Sequence, residues 1–181
     1  MIPKYNYLIV SAMGPNRPEM ITDLSRACVQ CGCNLLNTKI NVLGQEVVMV
    51  LLLAGSWGAI AKMEATLPNL EQRLGLNIQT RRTHEPSVSS QLMSYTIQVV
   101  AIDRKGILNE IANFLMKHSV AIEEISAHTY MAHTGTRMAS LQLKMNVPHD
   151  VHLATLRDKF MSYCDDHNLD GFIEPIRAAS L

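Results

Sequence analysis

The sequence predicts an α+β fold in which one β-α-β-β-α-β unit is used twice, and three observations predict it. The stretch Ser11-Ala-Met-Gly-Pro-Asn-Arg-Pro-Glu-Met20 has a loose second version in Val99-Val-Ala-Ile-Asp-Arg-Lys-Gly-Ile-Leu108, with Asn16-Arg17 and Asp103-Arg104 offset by 87 residues. An apolar, β-branched run precedes each pair, and an apolar pattern of helical period follows it. An offset this long marks a duplicated domain, because solenoid repeats are shorter.

Tyr5 to Ala12 is mostly apolar with loose alternation, which suits a strand central in a sheet. Gly14-Pro15-Asn16 is turn chemistry, and Asn16 is a candidate N-cap with Arg17 and Pro18 at the first helical positions. Met20, Ile21, Leu24, Ala27, Cys28 and Cys31 then form one apolar helix face, ended by Gly32. Asn34–Val42 and Glu46–Ala54 read as a hairpin around Leu43-Gly44-Gln45. Ser56 caps a second helix through Trp57, Ile60, Met63 and Leu67, where Pro68 is expected to break it or start a new turn. Leu76–Thr83 is the fourth strand.

The polar, serine-rich stretch His84–Gln91 reads as a linker, so the domains are expected at 1–83 and 93–181 with the linker over 84–92. The second unit follows the same order. Ser94–Ile102 is a strand, and Lys105–His118 a helix with Ile107, Leu108, Ile111, Phe114 and Leu115 inward. Val120–Tyr130 and Thr136–Val147 form a hairpin around His133-Thr134-Gly135. Pro148-His149-Asp150 opens the last helix through Leu153, Leu156 and Phe160, and Phe172–Ile176 closes the sheet. Each half is therefore a ferredoxin-like sandwich, four antiparallel strands with two helices on one face. Its open sheet face and edges favour pairing between units or between chains, so a homo-oligomer is expected.

Composition narrows the function. Lys+Arg and Asp+Glu are equal at 16 each in 181 residues, which argues against direct nucleic-acid binding. Three phenylalanines, all expected in helices or the last strand, make a poor RNA-stacking surface. The longest apolar run, Val47–Ala54, is far too short for a membrane span, and no secretory signal is recognisable, so a cytoplasmic location is expected. Cys28, Cys31 and Cys33 lack the second ligand pair of a structural zinc site, and two of them fall on the apolar helix face, so no metal is expected. No nucleophile elbow, phosphate loop or dinucleotide fingerprint occurs, which leaves a non-enzymatic protein without a cofactor. The glycine-rich cradle needed for acyl-phosphate hydrolysis is also missing.

The informative positions are the two strand-to-helix loops. A helix N-terminus offers free N–H groups and a favourable dipole for a carboxylate. Gly14 permits close approach, while Asn16 or Asp103 can engage an ammonium or amide, a combination suited to a free amino acid. Asn16 and Asp103 also serve equally well as plain caps, and Arg17 and Arg104 as solvated charges.

With the element order, the Asn16-Arg17-Pro18 loop and the Asp103-Arg104-Lys105-Gly106-Ile107-Leu108 loop in hand, the chain resembles tandem ACT domains, small-molecule regulatory modules of amino-acid metabolism. Cys31-Gly-Cys-Asn34, Leu43-Gly-Gln-Glu46 and Leu53-Ala-Gly-Ser-Trp-Gly-Ala-Ile60 are similar to a branch of that family that represses glycine-cleavage genes. The resemblance implies a regulator that senses a small, glycine-like amino acid and binds a transcription activator rather than DNA. It also leaves room for a regulatory subunit of an amino-acid biosynthetic enzyme. By position it nominates Gly14, Asn16, Arg17 and Met20 with Asn34 and Leu35 as ligand-binding residues. In the second unit it nominates Asp103, Arg104, Gly106 and Ile107 with Ala121 and Ile122, the strand residues often coming from a neighbouring unit. Two departures from the family pattern stand out: Glu19 replaces its glycine in the first loop, and Lys105 its proline in the second.

Overall fold

The structure, a computed structural model, describes residues 5–85, 92–148 and 151–176. Residues 86–91 of the expected linker, and His149 and Asp150, lie outside that range. The chain divides into two compact units, and each is described by itself.

In the first unit β1 (Asn6–Pro15) is followed by α1 (Glu19–Cys31), β2 (Asn34–Leu43), β3 (Glu46–Gly55), α2 (Trp57–Leu74) and β4 (Asn77–Thr83). In the second, β5 (Leu92–Ile102) leads to α3 (Ile107–Lys117), β6 (Ala121–Met131), β7 (Arg137–Pro148), α4 (Leu153–Asp166) and β8 (Asp170–Pro175). Both sheets have the same antiparallel order, β2-β3-β1-β4 and β6-β7-β5-β8. The α+β fold with two β-α-β-β-α-β units is as the sequence reads. The duplication extends to an irregularity, since the register shifts between Leu35 and Asn37 and again between Ile122 and Glu124, the same 87-residue offset.

Alternation explains the core. Leu8, Val10 and Ala12 of β1 and Val47, Met49, Leu51 and Leu53 of β3 are buried beneath the helices. Tyr95, Ile97, Val99 and Ala101 with Leu141, Leu143, Met145 and Val147 do the same in the second unit. Along α1 the buried face is Met20, Leu24, Ala27, Cys28 and Cys31, and Ile21 is exposed instead. Leu108 of α3 is likewise exposed, as is Trp57, which lies under the Arg82 guanidinium at 5.9 Å.

Several boundaries differ from expectation. Pro68 neither breaks nor restarts α2. It sits on the exposed side while Leu67, Leu70 and Leu74 stay buried, so packing of that face offsets the hydrogen bond that proline removes. β1 runs on through Gly14 and Pro15, which pair with Val47 and Glu46, so the expected turn residues are strand. α3 begins at Ile107 rather than Lys105, and α4 at Leu153, because β7 extends to Pro148.

Candidate functional site

The loops after β1 and β5 approach their helices differently. Neither Asn16 nor Asp103 is an N-cap: the cap positions are Pro18 and Gly106, and neither helix is capped by a side chain. The Asn16 backbone N–H instead donates to the Gln45 carbonyl at 3.1 Å, and that of Asp103 to the Arg137 carbonyl at 2.9 Å, tying the first loop to the β2–β3 turn and the second to the start of β7. By contrast α2 is capped by Ser56, whose Oγ accepts from the Ala59 N–H at 3.2 Å, and α4 by His152. The two helices left uncapped are the two that follow the repeated loops. Their first-turn N–H groups are thus free of side-chain acceptors.

In the first unit the loop residues are used for packing. Gly14 is buried, and a Cβ there would lie 2.8 Å from the Gly75 carbonyl oxygen and 2.9 Å from Leu76 Cδ2, so its glycine serves close approach of β1 to the α2–β4 turn. Met20 is buried, with its sulfur 3.4 Å from the Arg17 N–H. Asn16 and Arg17 are exposed.

In the second unit the loop frames a cleft of about 480 Å³ lined by Asp103, Arg104, Gly106 and Ile107, with Ala127, Thr129 and other strand residues opposite. All four loop residues nominated in this unit meet there. Gly106 has φ 94°, a left-handed conformation that glycine adopts without strain. Arg104, itself exposed, makes a bidentate pair with Glu110, 2.6 and 2.7 Å. The Arg104 hydrogen bonds hold the Glu110 carboxyl below the usual carboxylate range and raise the Arg104 guanidinium in turn.

The strand residues nominated alongside the loops lie elsewhere within each unit. Ala121 pairs with Asn146, and Ile122 with Met145, at the sheet end away from the β5–α3 loop, where Ile102 pairs with Met138. The nine-residue step from Ala121 to Tyr130 corresponds to roughly 25–30 Å of strand. Asn34 and Leu35 are placed the same way opposite the first loop. One unit therefore does not bring both sets together. The residues sequence reasoning missed, Ala127 to Thr129 with Ala139 and Leu141, follow from topology: β6 runs parallel to β5 through β7, so its far half reaches the loop.

The cysteines offer no competing chemistry. All four are buried and free, and burial pushes Cys28 and Cys164 up to about 11, away from the reactive thiolate. Among the described residues no cluster of three or more metal-ligating side chains occurs, and no helix is long and apolar enough to cross a membrane.

Two tandem βαββαβ units, each with a four-stranded antiparallel sheet, define the fold class, and the family comparison agrees. Residues 6–81 and 90–163 each match the ACT domain, so the chain belongs to the ACT-domain family as a tandem pair. It is similar to the glycine cleavage system transcriptional repressors of Escherichia coli (strain K12) and Shigella flexneri, 28% identical over 173 residues to each, covering 94% of this chain and 90% of theirs. Among solved structures, a protein of Galdieria sulphuraria superposes with TM-score 0.75 at 21% identity over 96% of this chain and 100% of its own. A crystal structure described as a candidate glycine cleavage system transcriptional repressor also gives TM-score 0.75, at 23% identity over 96% and 99%. At those identities the two structures speak for the fold.

Proposed function

We propose that the chain is a non-enzymatic, cytoplasmic regulator that binds a small, glycine-like amino acid at the β5–α3 loop and acts on transcription through an activator protein rather than through DNA. The observation that carries the ligand site is the cleft itself: a concave space at an uncapped helix N-terminus, with a carboxylate, a guanidinium and a left-handed glycine on its rim. The first-turn N–H groups of α3 suit the ligand carboxylate, and Asp103 its ammonium. The likeness in sequence to the two bacterial repressors supports the transcriptional role. Completion of the cleft by the bulged start of β2 or β6 would have to come from a neighbouring unit, since each unit holds its own strand start away from its loop.

Calorimetric titration of glycine, serine and alanine tests the site. The wild-type chain is expected to bind one of them, and Gly106→Ala, which strains the left-handed position by about 1 kcal/mol, to weaken that binding. Asn16→Ala should leave it unchanged. Loss of binding in Asn16→Ala with retention in Gly106→Ala would move the site to the first loop, and no binding at millimolar concentration would remove the sensing role. Affinity capture from extract then separates an activator from a biosynthetic enzyme as the client.

A further inference from the structure

The outward faces of the two helix pairs differ as much as the loops do. In the first unit α1 and α2 are tied across their groove, with Asp23 accepting from Arg73 at 2.9 Å and Lys62 Nζ donating to the Gln30 carbonyl at 2.9 Å. In the second unit no ion pair joins α3 to α4 among the described residues. Their groove is an open cleft of about 610 Å³, floored by Phe114 and Tyr163 with ring centroids 4.9 Å apart.

The walls of that groove repeat one spacing. Glu110, Asn113 and Lys117 stand on α3 at steps of three and four, as do Lys159, Ser162 and Asp166 on α4, and all line the cleft. Such steps keep each set on one helix face. Because β5 and β7 are antiparallel and each helix runs back against its own strand, α3 and α4 are antiparallel. Lys117 therefore stands on the side of Lys159 at one end, where His118 and His152 share a continuation of the groove. Glu110 stands on the side of Asp166 at the other, with His167 beside them and Arg104 paired to Glu110. One end carries two lysines, and at the other Glu110 and Asp166 outnumber the single Arg104 cation, so the ends differ in sign.

Like charges facing each other across a groove are unfavourable for an isolated unit, yet they complement the same groove turned end for end. That turn is a twofold rotation, the operation of an isologous dimer. We propose that the α3–α4 face is a homodimer interface, in which two copies of this chain pack about a twofold axis with the basic end of each on the acidic end of its partner. Asn113, Lys117, Lys159, Ser162 and Asp166 are exposed, so the face is open to a second copy. Helices of 11 and 14 residues span about 16 and 21 Å, so the pairing falls at the small, weak end of specific interfaces and leans on charge.

Sedimentation of the full chain over a range of protein and salt concentrations tests it. The wild type is expected to show a monomer–dimer equilibrium that weakens as salt rises. Lys117→Glu with Lys159→Glu makes both ends acidic, and Ser162→Lys with Asp166→Lys makes both basic. Each double variant alone is expected to dimerise about tenfold more weakly or not at all, and an equimolar mixture of the two to form a heterodimer. Circular dichroism confirms that these exposed substitutions leave the fold intact. A wild type that stays monomeric at every concentration, dimers indifferent to the charge changes, or variants that fail to pair when mixed would each overturn the proposal.

Discussion

At the strand-to-helix turn the first unit places Glu19 where the second, 87 residues on, places Gly106. Glu19 is already the first residue of α1, behind Pro18 at φ −57°, whereas Gly106 turns left-handed and delays α3 by one position. Below the surface the same offset relates Leu8 to Tyr95, Val10 to Ile97, Met20 to Ile107 and Leu24 to Ile111, every one buried. At that offset Ala27 of α1 corresponds to Phe114 of α3; by strand register Ile78 of β4, opposite Ala12, corresponds to Gly171 of β8, opposite Val99. The first unit thus sets a small helix residue against an apolar strand residue, and its helices meet. The second sets Phe114 and Phe160 against the bare Gly171, while Ile173 of the same strand stays buried. The duplicated skeleton keeps a continuous apolar core in each unit, while the helix faces and loops above it are released for different uses.

That difference in packing gives the largest expected effects. A Cβ on Gly14 meets backbone, the Gly75 oxygen at 2.8 Å, while a Cβ on Gly171 meets side chains, Cys164 Sγ at 2.7 Å and the Phe160 ring at 3.1 Å. Overpacking of this kind costs about 1–3 kcal/mol, and Gly14→Ala should fall at the upper end because a carbonyl yields less than a side chain. Hydrogen exchange resolves the two units separately where a single melting temperature would merge them. Equal protection loss for Gly14→Ala and Gly171→Ala would show that the second core is as unyielding as the first.

The repeat, the element order and nearly every core position were legible in the sequence because burial imposes period 2 on strands and 3.6 on helices. Ile21, Trp57 and Leu108 misled because an apolar residue at the margin of a helix face satisfies the pattern without being covered. Pro68 misled for the converse reason, since a local rule gave way to a continuous buried face. At the site, Asp103, Arg104, Gly106 and Ile107 were legible as loop chemistry. The opposing wall, Ala127 to Thr129, was not, because which half of β6 borders the loop depends on strand order through β7. Capping by Asn16 and Asp103 was read from residue type, whereas the backbone places their N–H groups in bonds to Gln45 and Arg137.

Capping supplies a sharper contrast of intermediate size. Ser56→Ala removes the one acceptor that its side chain gives the Ala59 N–H, and should cost about 1 kcal/mol. Asn16→Ala removes no cap and should fall within about 0.5 kcal/mol of wild type, as surface substitutions do. Chemical denaturation of the two variants checks this. A cost for Asn16→Ala equal to that of Ser56→Ala would return the first loop to the role of helix cap.

The smallest effect concerns the Arg104–Glu110 pair, which has no counterpart in the first loop because Arg17 makes no ion pair among the described residues. The carboxyl of Glu110 is lowered chiefly by its hydrogen bonds to Arg104. A group whose folded value lies below its unfolded one stabilises the fold above the unfolded value and loses that contribution as pH falls through the folded one. The stability difference between wild type and Glu110→Gln should therefore be present at neutral pH and vanish in acid, below the usual carboxylate range. It should remain smaller than the loss from Ser56→Ala, since both side chains are partly exposed. Its consequence at the cleft is larger than its consequence for stability. Freed from Glu110, the guanidinium in Glu110→Gln can turn toward an amino-acid carboxylate, so the variant should bind the ligand at least as tightly as wild type while folding slightly less stably. Weaker binding in Glu110→Gln would mean instead that the pair holds Arg104 in the orientation the ligand needs.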